Sequence, residues 1–165
     1  MRDFKVIGLM SGSSLDGVDI AYVNFSHDNK RWFFQIVEAG NIPYSSYWKE
    51  QLSEAFNKSK EELADLDKEY GRYLGTITKR FIEKYELKPK LIASHGHTIF
   101  HRPEEGFTLQ IGDGQEIANA TGIMTINDFR SEDVSKGGQG APLVPIGDRH
   151  LFAEFPICLN IGGIA

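Results

Sequence analysis

Near the N-terminus, a short segment combines glycines, hydroxyl groups and carboxylates in an order that suits phosphate binding. Residues 8–19 read Gly-Leu-Met-Ser-Gly-Ser-Ser-Leu-Asp-Gly-Val-Asp, between two apolar stretches. Glycine lets a backbone approach a ligand closely, and successive N–H groups in a turn form a concavity that binds anions. The hydroxyls of Ser13 and Ser14 add further donors. This pattern predicts a turn that holds phosphate groups.

One acid in this turn, Asp16, suggests a metal ion. A carboxylate repels phosphate, but it can hold Mg²⁺ through water and so face a bound nucleotide indirectly. The turn has neither the lysine of a P-loop nor the spacing of a dinucleotide-binding fingerprint. The alternative interpretation is a hairpin turn whose glycines, serines and aspartate satisfy only the backbone.

A second polar group, Ser94-His95-Gly96-His97-Thr98, follows an apolar run at residues 91–93. Polar residues at the exit of a strand often line a ligand cleft. Two histidines at i and i+2 of an extended chain share one side and, with His101, could bind zinc. Because no cysteine or suitably spaced carboxylate completes such a site, simple hydrogen-bonding histidines are favoured.

A third group, Asn127-Asp128-Phe129-Arg130, follows an apolar run at residues 123–126. If this stretch is extended, Asp128 and Arg130 lie on one side. They are interpreted either as a surface ion pair worth less than about 1 kcal/mol or as residues that face a ligand. Residues 128–145 are rich in glycine and proline, so they are predicted to be an irregular crossing between domains.

The elements that must position these groups begin with strands. Three stretches, at residues 4–10, 18–23 and 32–37, predict an opening β-meander. A helical stretch through about Asn57 follows, and then a second helix that starts with a capping box of Ser59 and Glu62. The second helix has one apolar stripe at spacings of three and four, made of Leu63, Leu66, Tyr70, Leu74, Ile77 and Phe81.

In the second half of the chain, strands and helices alternate. Strands are predicted at residues 91–93, 107–111 and 123–126, and a short helix from Asp113 to Gly122 separates the last two. Residues 156–161 are predicted to be a further, buried strand. The predicted fold class is therefore α/β, with a mixed sheet that opens with a β-meander and is flanked by helices.

Composition limits the possible functions. The 165 residues carry a formal net charge of -5, with no block of lysine or arginine, so nucleic-acid binding is disfavoured. The single cysteine, Cys158, excludes an intramolecular disulfide and is predicted to be a buried thiol. The apolar run at residues 4–10 is far shorter than the ~20 residues that span a bilayer. We therefore expect a soluble, cytoplasmic protein without a membrane partner.

Four segments resemble the anhydro-N-acetylmuramic acid kinases, a family of the actin-like sugar kinase superfamily. They are the turn at residues 8–19, the histidine segment at 94–98, the stretch Gly137-Gly-Gln-Gly-Ala-Pro-Leu-Val-Pro145, and residues 160–165. The third is similar to the family nearly letter for letter and is the most specific. Two departures occur: His97 stands where glutamine is usual, and Ser131 and Glu132 stand where the family has arginines.

The resemblance implies a fold and a set of binding residues. It implies a ribonuclease H-like lobe over residues 1–130, and over residues 131–165 a crossing segment with the first strand of a second lobe. ATP and Mg²⁺ would bind at the turn, with Asp16 facing the metal. The implied cofactor-binding residues are Gly12, Ser13, Ser14, Leu15, Asp16, Gly17, Val18 and Asp19. The implied sugar-binding residues are His97, Thr98 and Arg130.

The resemblance also implies an activity. Water opens the 1,6-anhydro ring of anhydro-N-acetylmuramic acid, and oxygen 6 takes the γ-phosphoryl group of ATP, as part of cell-wall recycling. The aspartate that activates the water is expected beyond Ala165, so these residues alone are expected to be inactive. A homodimer is also implied. Two alternatives are a free-standing nucleotide- or sugar-binding module and a ribonuclease H-like nuclease; the nuclease needs clustered carboxylates and is disfavoured by the acidic charge.

Overall fold

The computed structural model describes residues 2–12 and 14–159, and it confirms the opening β-meander. Strands β1 (Arg2–Ser11), β2 (Gly17–His27) and β3 (Trp32–Pro43) are consecutive and antiparallel. β3 continues to Pro43, beyond the predicted end at Val37, because its second half stays paired with β2. Hydrogen bonding to the neighbouring strand, which the side-chain pattern does not report, extends this element.

Parallel strands complete a five-stranded mixed sheet. β4 (Leu91–Ser94) pairs with β1. The chain then forms a separate hairpin of β5 (His97–Arg102) and β6 (Phe107–Ile111), before β7 (Thr125–Ile126) pairs with β4. The sheet order is β3-β2-β1-β4-β7. Because β1, β4 and β7 are parallel, their carboxyl ends meet at one edge of the sheet.

Two helices follow the meander as predicted. α1 (Ser46–Ser53) leads into a short 3-10 turn at Ala55–Asn57, and α2 (Lys60–Lys84) begins at the predicted capping box. The hydroxyl of Ser59 accepts from the Glu62 amide, and the Glu62 carboxylate accepts from the Ser59 amide. Within the described ranges, none of the helices is both long and apolar enough to cross a membrane.

The core lies between α2 and one face of the sheet. Every residue of the predicted apolar stripe on α2 is buried. These side chains pack with alternate residues of the strands, including Ile7, Ile20 and Ile92, all of which are essentially inaccessible to solvent. Alternation along a strand directs the intervening residues to the opposite face, which faces away from α2.

The short helix α3 (Gly114–Thr121) has the predicted caps. The Asp113 carboxylate accepts from the amides of Gln115 and Glu116, and Gly122 ends the helix with a left-handed φ of 72°. α3 packs directly against α2 at Gly71 and Gly75, where the absence of side chains allows the two helices to approach closely. A Cβ on Gly71 would lie 2.6 Å from the Asp113 carbonyl oxygen, and a Cβ on Gly75 would lie 2.6 Å from the Cβ of Ala120.

This close approach makes Gly71→Ala a destabilising change. Alanine favours a helix over glycine by about 1 kcal/mol, but the added methyl group collides with the backbone before α3 at a cost of about 1–3 kcal/mol. We expect a net loss of about 1 kcal/mol in the free energy of unfolding, measured by urea denaturation. The matched control is Gly147→Ala, also helical, where the added Cβ meets nothing within 4 Å and stability should rise or stay unchanged.

The glycine-rich crossing is more regular than predicted. Residues 128–145 include α4 (Ser131–Ser135) and the start of α5 (Val144–Leu151). The expectation of an irregular segment was wrong at these two places. The short α4 is anchored by Val134, which is buried, and α5 begins with Pro145 in its first turn, a position where proline's fixed φ favours a helix.

Two further expectations near the end of the chain were wrong. Residues 156–159 form no strand, and Ile157 and Leu159 are 82% and 81% exposed. A buried strand needs a neighbouring strand and a second layer to pack on, and the described residues supply neither to this segment. Cys158 is exposed for the same reason. The rest of the predicted strand and the motif at residues 160–165 lie outside the described residues.

Candidate functional site

Three segments meet at the carboxyl edge of the sheet. Near the end of β1, the Leu9 carbonyl accepts from the His95 amide at 3.0 Å, and the Ser11 hydroxyl lies 2.8 Å from Nδ1 of His97. After β7, the Arg130 guanidinium contacts Nε2 of His95. The glycine-serine turn, the histidine segment and Arg130 therefore belong to one contiguous region. In open α/β sheets, ligands bind in the crevice outside the carboxyl ends of the strands.

The turn between β1 and β2 is anchored on both sides. The Leu15 amide donates to the Gly12 carbonyl at 3.4 Å, and the Tyr44 amide donates to the Asp16 carbonyl at 3.2 Å. Leu15 has a left-handed φ of 54°, a conformation that costs a bulky residue about 1–2 kcal/mol. The surrounding contacts must offset this strain, which is typical of loops that are shaped for function. Ser13 lies outside the described residues.

Asp16 is oriented and ionised at the mouth of the turn. Its side chain is exposed, and Oδ1 accepts from the Ser14 hydroxyl at 2.8 Å. This hydrogen bond lowers the pKa of the Asp16 carboxyl, and the backbone amides of Asp16 and Gly17 lower it further. A single exposed carboxylate suits Mg²⁺, which usually binds one or two protein carboxylates, water and the phosphates of a substrate. Asp16 therefore fits a metal that a nucleotide brings with it.

The remaining predicted cofactor-binding residues begin β2. Gly17 lies so close to β3 that a Cβ would approach the backbone of Ile42 within 3 Å. The Val18 side chain is fully buried in the core, so only its backbone can contribute to a ligand contact. Asp19 is exposed and accepts from the Asn41 side-chain amide at 2.9 Å.

A buried hydrogen-bonded network lies directly below the turn. The Ser11 hydroxyl is 2.6 Å from the Tyr44 hydroxyl, which is 2.5 Å from the Tyr70 hydroxyl, and Ser11 also contacts His97. All four side chains are buried. The network joins β1, α2 and β5 to the residue after β3, so it fixes the last residue of β1 just before the turn.

The sequence patterns did not reveal this network. One signal was present, because a tyrosine such as Tyr70 in an apolar stripe needs a partner for its hydroxyl once it is buried. Burial raises the pKa of Tyr70 far above its ordinary range and also raises that of Tyr44, so both phenols stay protonated. Burial lowers the pKa of His97 to about 4, so its ring is neutral at pH 7.

His97 and Thr98, the two neighbouring residues that were predicted to contact the sugar, differ in their exposure to solvent. Both lie on β5, which the sequence patterns did not predict as a strand. Because side chains alternate along a strand, His97 points into the core and is 5% exposed, whereas Thr98 is exposed. Thr98 is accessible to a ligand. His97 is linked to the site through Ser11.

The Arg130 side chain is partly buried, and three of its N–H groups contact other residues. Nε and Nη2 lie 3.1 and 2.8 Å from Nε2 of His95, and Nη1 donates to the Gly140 carbonyl at 2.6 Å. Asp128 is not its partner, because the Asp128 carboxylate accepts instead from the Ser131 amide at 3.1 Å. The interpretation of these two residues as a surface ion pair is therefore wrong.

The histidines do not form a zinc site. His95 contacts Arg130 and the Gly96 carbonyl, His97 contacts Ser11, and His101 contacts Thr108. Among the residues that the structure describes, no group of three or more histidines, cysteines or carboxylates could hold a metal ion. The contacts of the three rings agree with their interpretation as hydrogen-bonding groups.

An open cavity of about 730 Å³ lies on the sheet face opposite α2, beside His95. Small residues of four strands form its floor, and Phe129 and Leu143 border it. They include Gly8, Ala21, Gly40 and Ala93. Its volume is within the range of small-molecule sites.

These features define a class of protein. An antiparallel meander continued by parallel strands and helices is the ribonuclease H-like fold of the actin-like superfamily. The chain belongs to the anhydro-N-acetylmuramic acid kinase family, whose model matches residues 4–165.

Several curated relatives support this assignment. The anhydro-N-acetylmuramic acid kinase of Pasteurella multocida is 39% identical over 96% of this chain, which corresponds to 44% of the relative. Those of Shewanella halifaxensis and Shewanella baltica (strain OS223) are 42% and 43% identical over 100% of this chain and 47% of each relative. The chain therefore spans about half the length of the curated relatives that it matches.

Proposed function

We propose that the protein is an ATP-dependent kinase that acts on 1,6-anhydro-N-acetylmuramic acid, opens the anhydro ring with water and yields N-acetylmuramic acid 6-phosphate. The observation that carries this proposal is the contact chain at the carboxyl edge of the sheet. It joins the glycine-serine turn to Arg130 through the Ser11–His97 contact, the backbone of residues 95–97 and the His95–Arg130 contact. Phosphoryl transfer depends on positioning and charge neutralisation, which a rigid edge of this kind can provide.

Each predicted site residue has a role in this proposal. Backbone amides of residues 12–19 bind the phosphates of ATP, and Asp16 faces Mg²⁺. The metal, when bound, neutralises phosphate charge. Thr98 and Arg130 contact the sugar, because a hydroxyl and a planar guanidinium suit its oxygens and its carboxylate. His97 supports the turn from below through Ser11. Because ATP is the donor, we place the protein in the cytoplasm.

The proposal is tested with protein expressed from the complete gene. We expect ADP and a sugar phosphate to form only when both ATP with Mg²⁺ and the anhydro-sugar are present. A coupled assay measures the ADP, and mass spectrometry identifies the sugar phosphate. The 165-residue chain is assayed in parallel and is expected to be inactive, because it spans only about half the length of the curated relatives that it matches. ADP formation that does not depend on the sugar, or no ADP at all, would contradict the proposal.

The role of Asp16 leads to a second measurable result. In Asp16→Asn the hydrogen bond from Ser14 can be kept while the negative charge is lost. Because the proposed metal contact passes through water, we expect kcat/KM for ATP to fall about tenfold and the Mg²⁺ requirement to rise. Asp65→Asn, at an exposed position of α2, is the control and should change neither value. An unchanged Mg²⁺ dependence in Asp16→Asn would remove Asp16 from the metal site.

A further inference from the structure

We propose that His95 is a positioning residue that holds the Arg130 guanidinium in the orientation needed for sugar binding. The proposal rests on the proposed function, and it gives a role to a residue that motif analysis treated only as part of a polar segment. His95 itself is part-buried and does not need to touch the substrate. Its effect is exerted through the side chain of Arg130.

Two N–H groups on one edge of the Arg130 guanidinium contact the imidazole ring of His95. Nε and Nη2 of Arg130 both point at the single lone pair on Nε2 of His95, at 3.1 and 2.8 Å. Two contacts from one planar group to one atom fix the rotation of that plane as well as its position. The His95 backbone is itself fixed, because its amide donates to the Leu9 carbonyl in β1.

The hydrogen-bond partners determine the tautomer of His95. A guanidinium has no acceptor, so Nε2 of His95 must be unprotonated to receive its N–H groups. The proton then lies on Nδ1, which is 3.0 Å from the Gly96 carbonyl and donates to it. Burial first, and the Arg130 charge in addition, lower the pKa of His95 and keep the ring neutral. The Gly96 carbonyl therefore controls the orientation of Arg130 through the imidazole.

A second contact ties Arg130 to the glycine-rich crossing. Nη1 donates to the Gly140 carbonyl at 2.6 Å, while the Gly140 amide donates to the Asp133 carboxylate at 2.7 Å. Gly140 is buried and has a left-handed φ of 62°, so it suits glycine alone. The crossing is therefore held at both backbone groups of one residue, Gly140, and the Arg130 side chain makes one of these two contacts.

The remaining donors of Arg130 are left for a ligand. A guanidinium has five N–H groups, and the contacts with His95 and Gly140 use three of them. The two unused groups, one on each terminal nitrogen, can bind a carboxylate or a pair of sugar oxygens. Without His95, the guanidinium could rotate and these donors would lose their fixed direction.

The kinetic test compares His95→Leu with His95→Gln in protein from the complete gene. Leucine cannot accept a hydrogen bond, whereas the side-chain oxygen of glutamine can accept from Arg130. Because hydrogen bonds to charged groups are stronger than those between neutral groups, we expect KM for the sugar to rise at least about tenfold in His95→Leu. We expect KM for ATP to stay unchanged and His95→Gln to recover most of the loss. His101→Leu, at an exposed ring on β5, is the control.

A spectroscopic test separates this inference from the proposed function. Long-range ¹H–¹⁵N correlation spectra of the chain at pH 7, without sugar or ATP, should show His95 with Nδ1 protonated and Nε2 unprotonated. Arg130→Met should release Nε2 and allow the other tautomer. A charged or Nε2-protonated His95 in the wild type would overturn the inference even in an active kinase. So would an unchanged sugar KM in a folded His95→Leu. The correct tautomer in a protein from the complete gene that has no sugar-dependent activity would overturn the proposed function, and with it the sugar-binding role of Arg130, but not the contact between His95 and Arg130.

Discussion

Gly17→Ala is expected to reduce kcat/KM for ATP at least about 100-fold and to lower the free energy of unfolding by about 1–3 kcal/mol. Gly17 is the first residue of β2 and pairs with Pro43 of β3. Its ideal Cβ position lies 2.9 Å from the carbonyl carbon of Ile42 and 2.8 Å from the side-chain oxygen of Asn41. The carbonyl belongs to the paired strand and cannot rotate away, so the strands must separate where the turn begins.

The two effects of this substitution have one cause. A shift of Gly17 moves Asp16, whose carbonyl accepts from the Tyr44 amide, and with it the backbone that is proposed to face phosphate. Misplacement by even 1 Å is costly for a group that acts by position. Enzyme kinetics on protein from the complete gene measure the first effect, and urea denaturation of the same variant measures the second.

Gly40→Ala is the matched control for Gly17→Ala. Gly40 lies on β3 opposite Ile20, and a Cβ there would meet nothing within 4 Å. Gly40 lies in the floor of the cavity beside His95 but outside the turn, so this variant is expected to keep both the stability and the ATP kinetics of the wild type. If Gly17→Ala retained full kcat/KM for ATP, the turn would not be the phosphate-binding element.

Local signals along the chain were sufficient for much of the fold. The capping box at Ser59, the apolar stripe on α2, and the caps at Asp113 and Gly122 each act over a few residues, so the side chains that decide the structure are adjacent in sequence. The β-meander was predictable for the same reason, because each strand pairs with the next one along the chain.

The wrong or missing elements depend on distant partners. β5 starts at His97 inside a segment without an apolar pattern, and it exists because β6 pairs with it. Residues 156–159 have the composition of a buried strand but pair with nothing in the described part of the chain. The short α4 is held by the burial of Val134, which the composition of a glycine-rich segment does not disclose.

The candidate site shows the same division. The turn was predictable, because its glycines, serines and Asp16 are consecutive in the sequence. The network beneath it was not, because Ser11, Tyr44 and His97 are brought together only by the sheet and by β5. The contact between His95 and Arg130 likewise joins the ends of β4 and β7, so motif analysis found both residues without finding their interaction.

The burial of His97 predicts that the protein loses stability as the pH falls from about 6.5 to about 4. The folded state holds this ring neutral until its pKa of about 4, whereas the unfolded chain takes up the proton near the ordinary value of 6.5. Between these values the unfolded state binds more protons, so acidification favours unfolding. The shift corresponds to about 3 kcal/mol, fully present above pH 6.5 and lost at about pH 4.

His97→Gln isolates this contribution. Glutamine cannot be protonated in this range, and it can still hydrogen-bond with Ser11 from a buried position. The free energy of unfolding of the wild type, minus that of His97→Gln, should therefore fall by about 3 kcal/mol when the pH is lowered from 7 to 4.

The comparison of variant with wild type is needed because other buried groups also titrate. The lowered pKa of His95 acts in the same direction as that of His97, and the raised pKa of Asp67, caused mainly by burial, acts in the opposite direction. Both groups remain in His97→Gln, so Asp67 cancels in the difference and His95 cancels apart from its charge interaction with His97. His150→Gln, at an exposed position of α5, controls for the exchange of histidine for glutamine. A difference between wild type and His97→Gln that is equal at pH 7 and pH 4 would show that His97 takes up its proton over the same pH range in the folded and unfolded states, and the network below the turn would then have to hold a charged ring at pH 4.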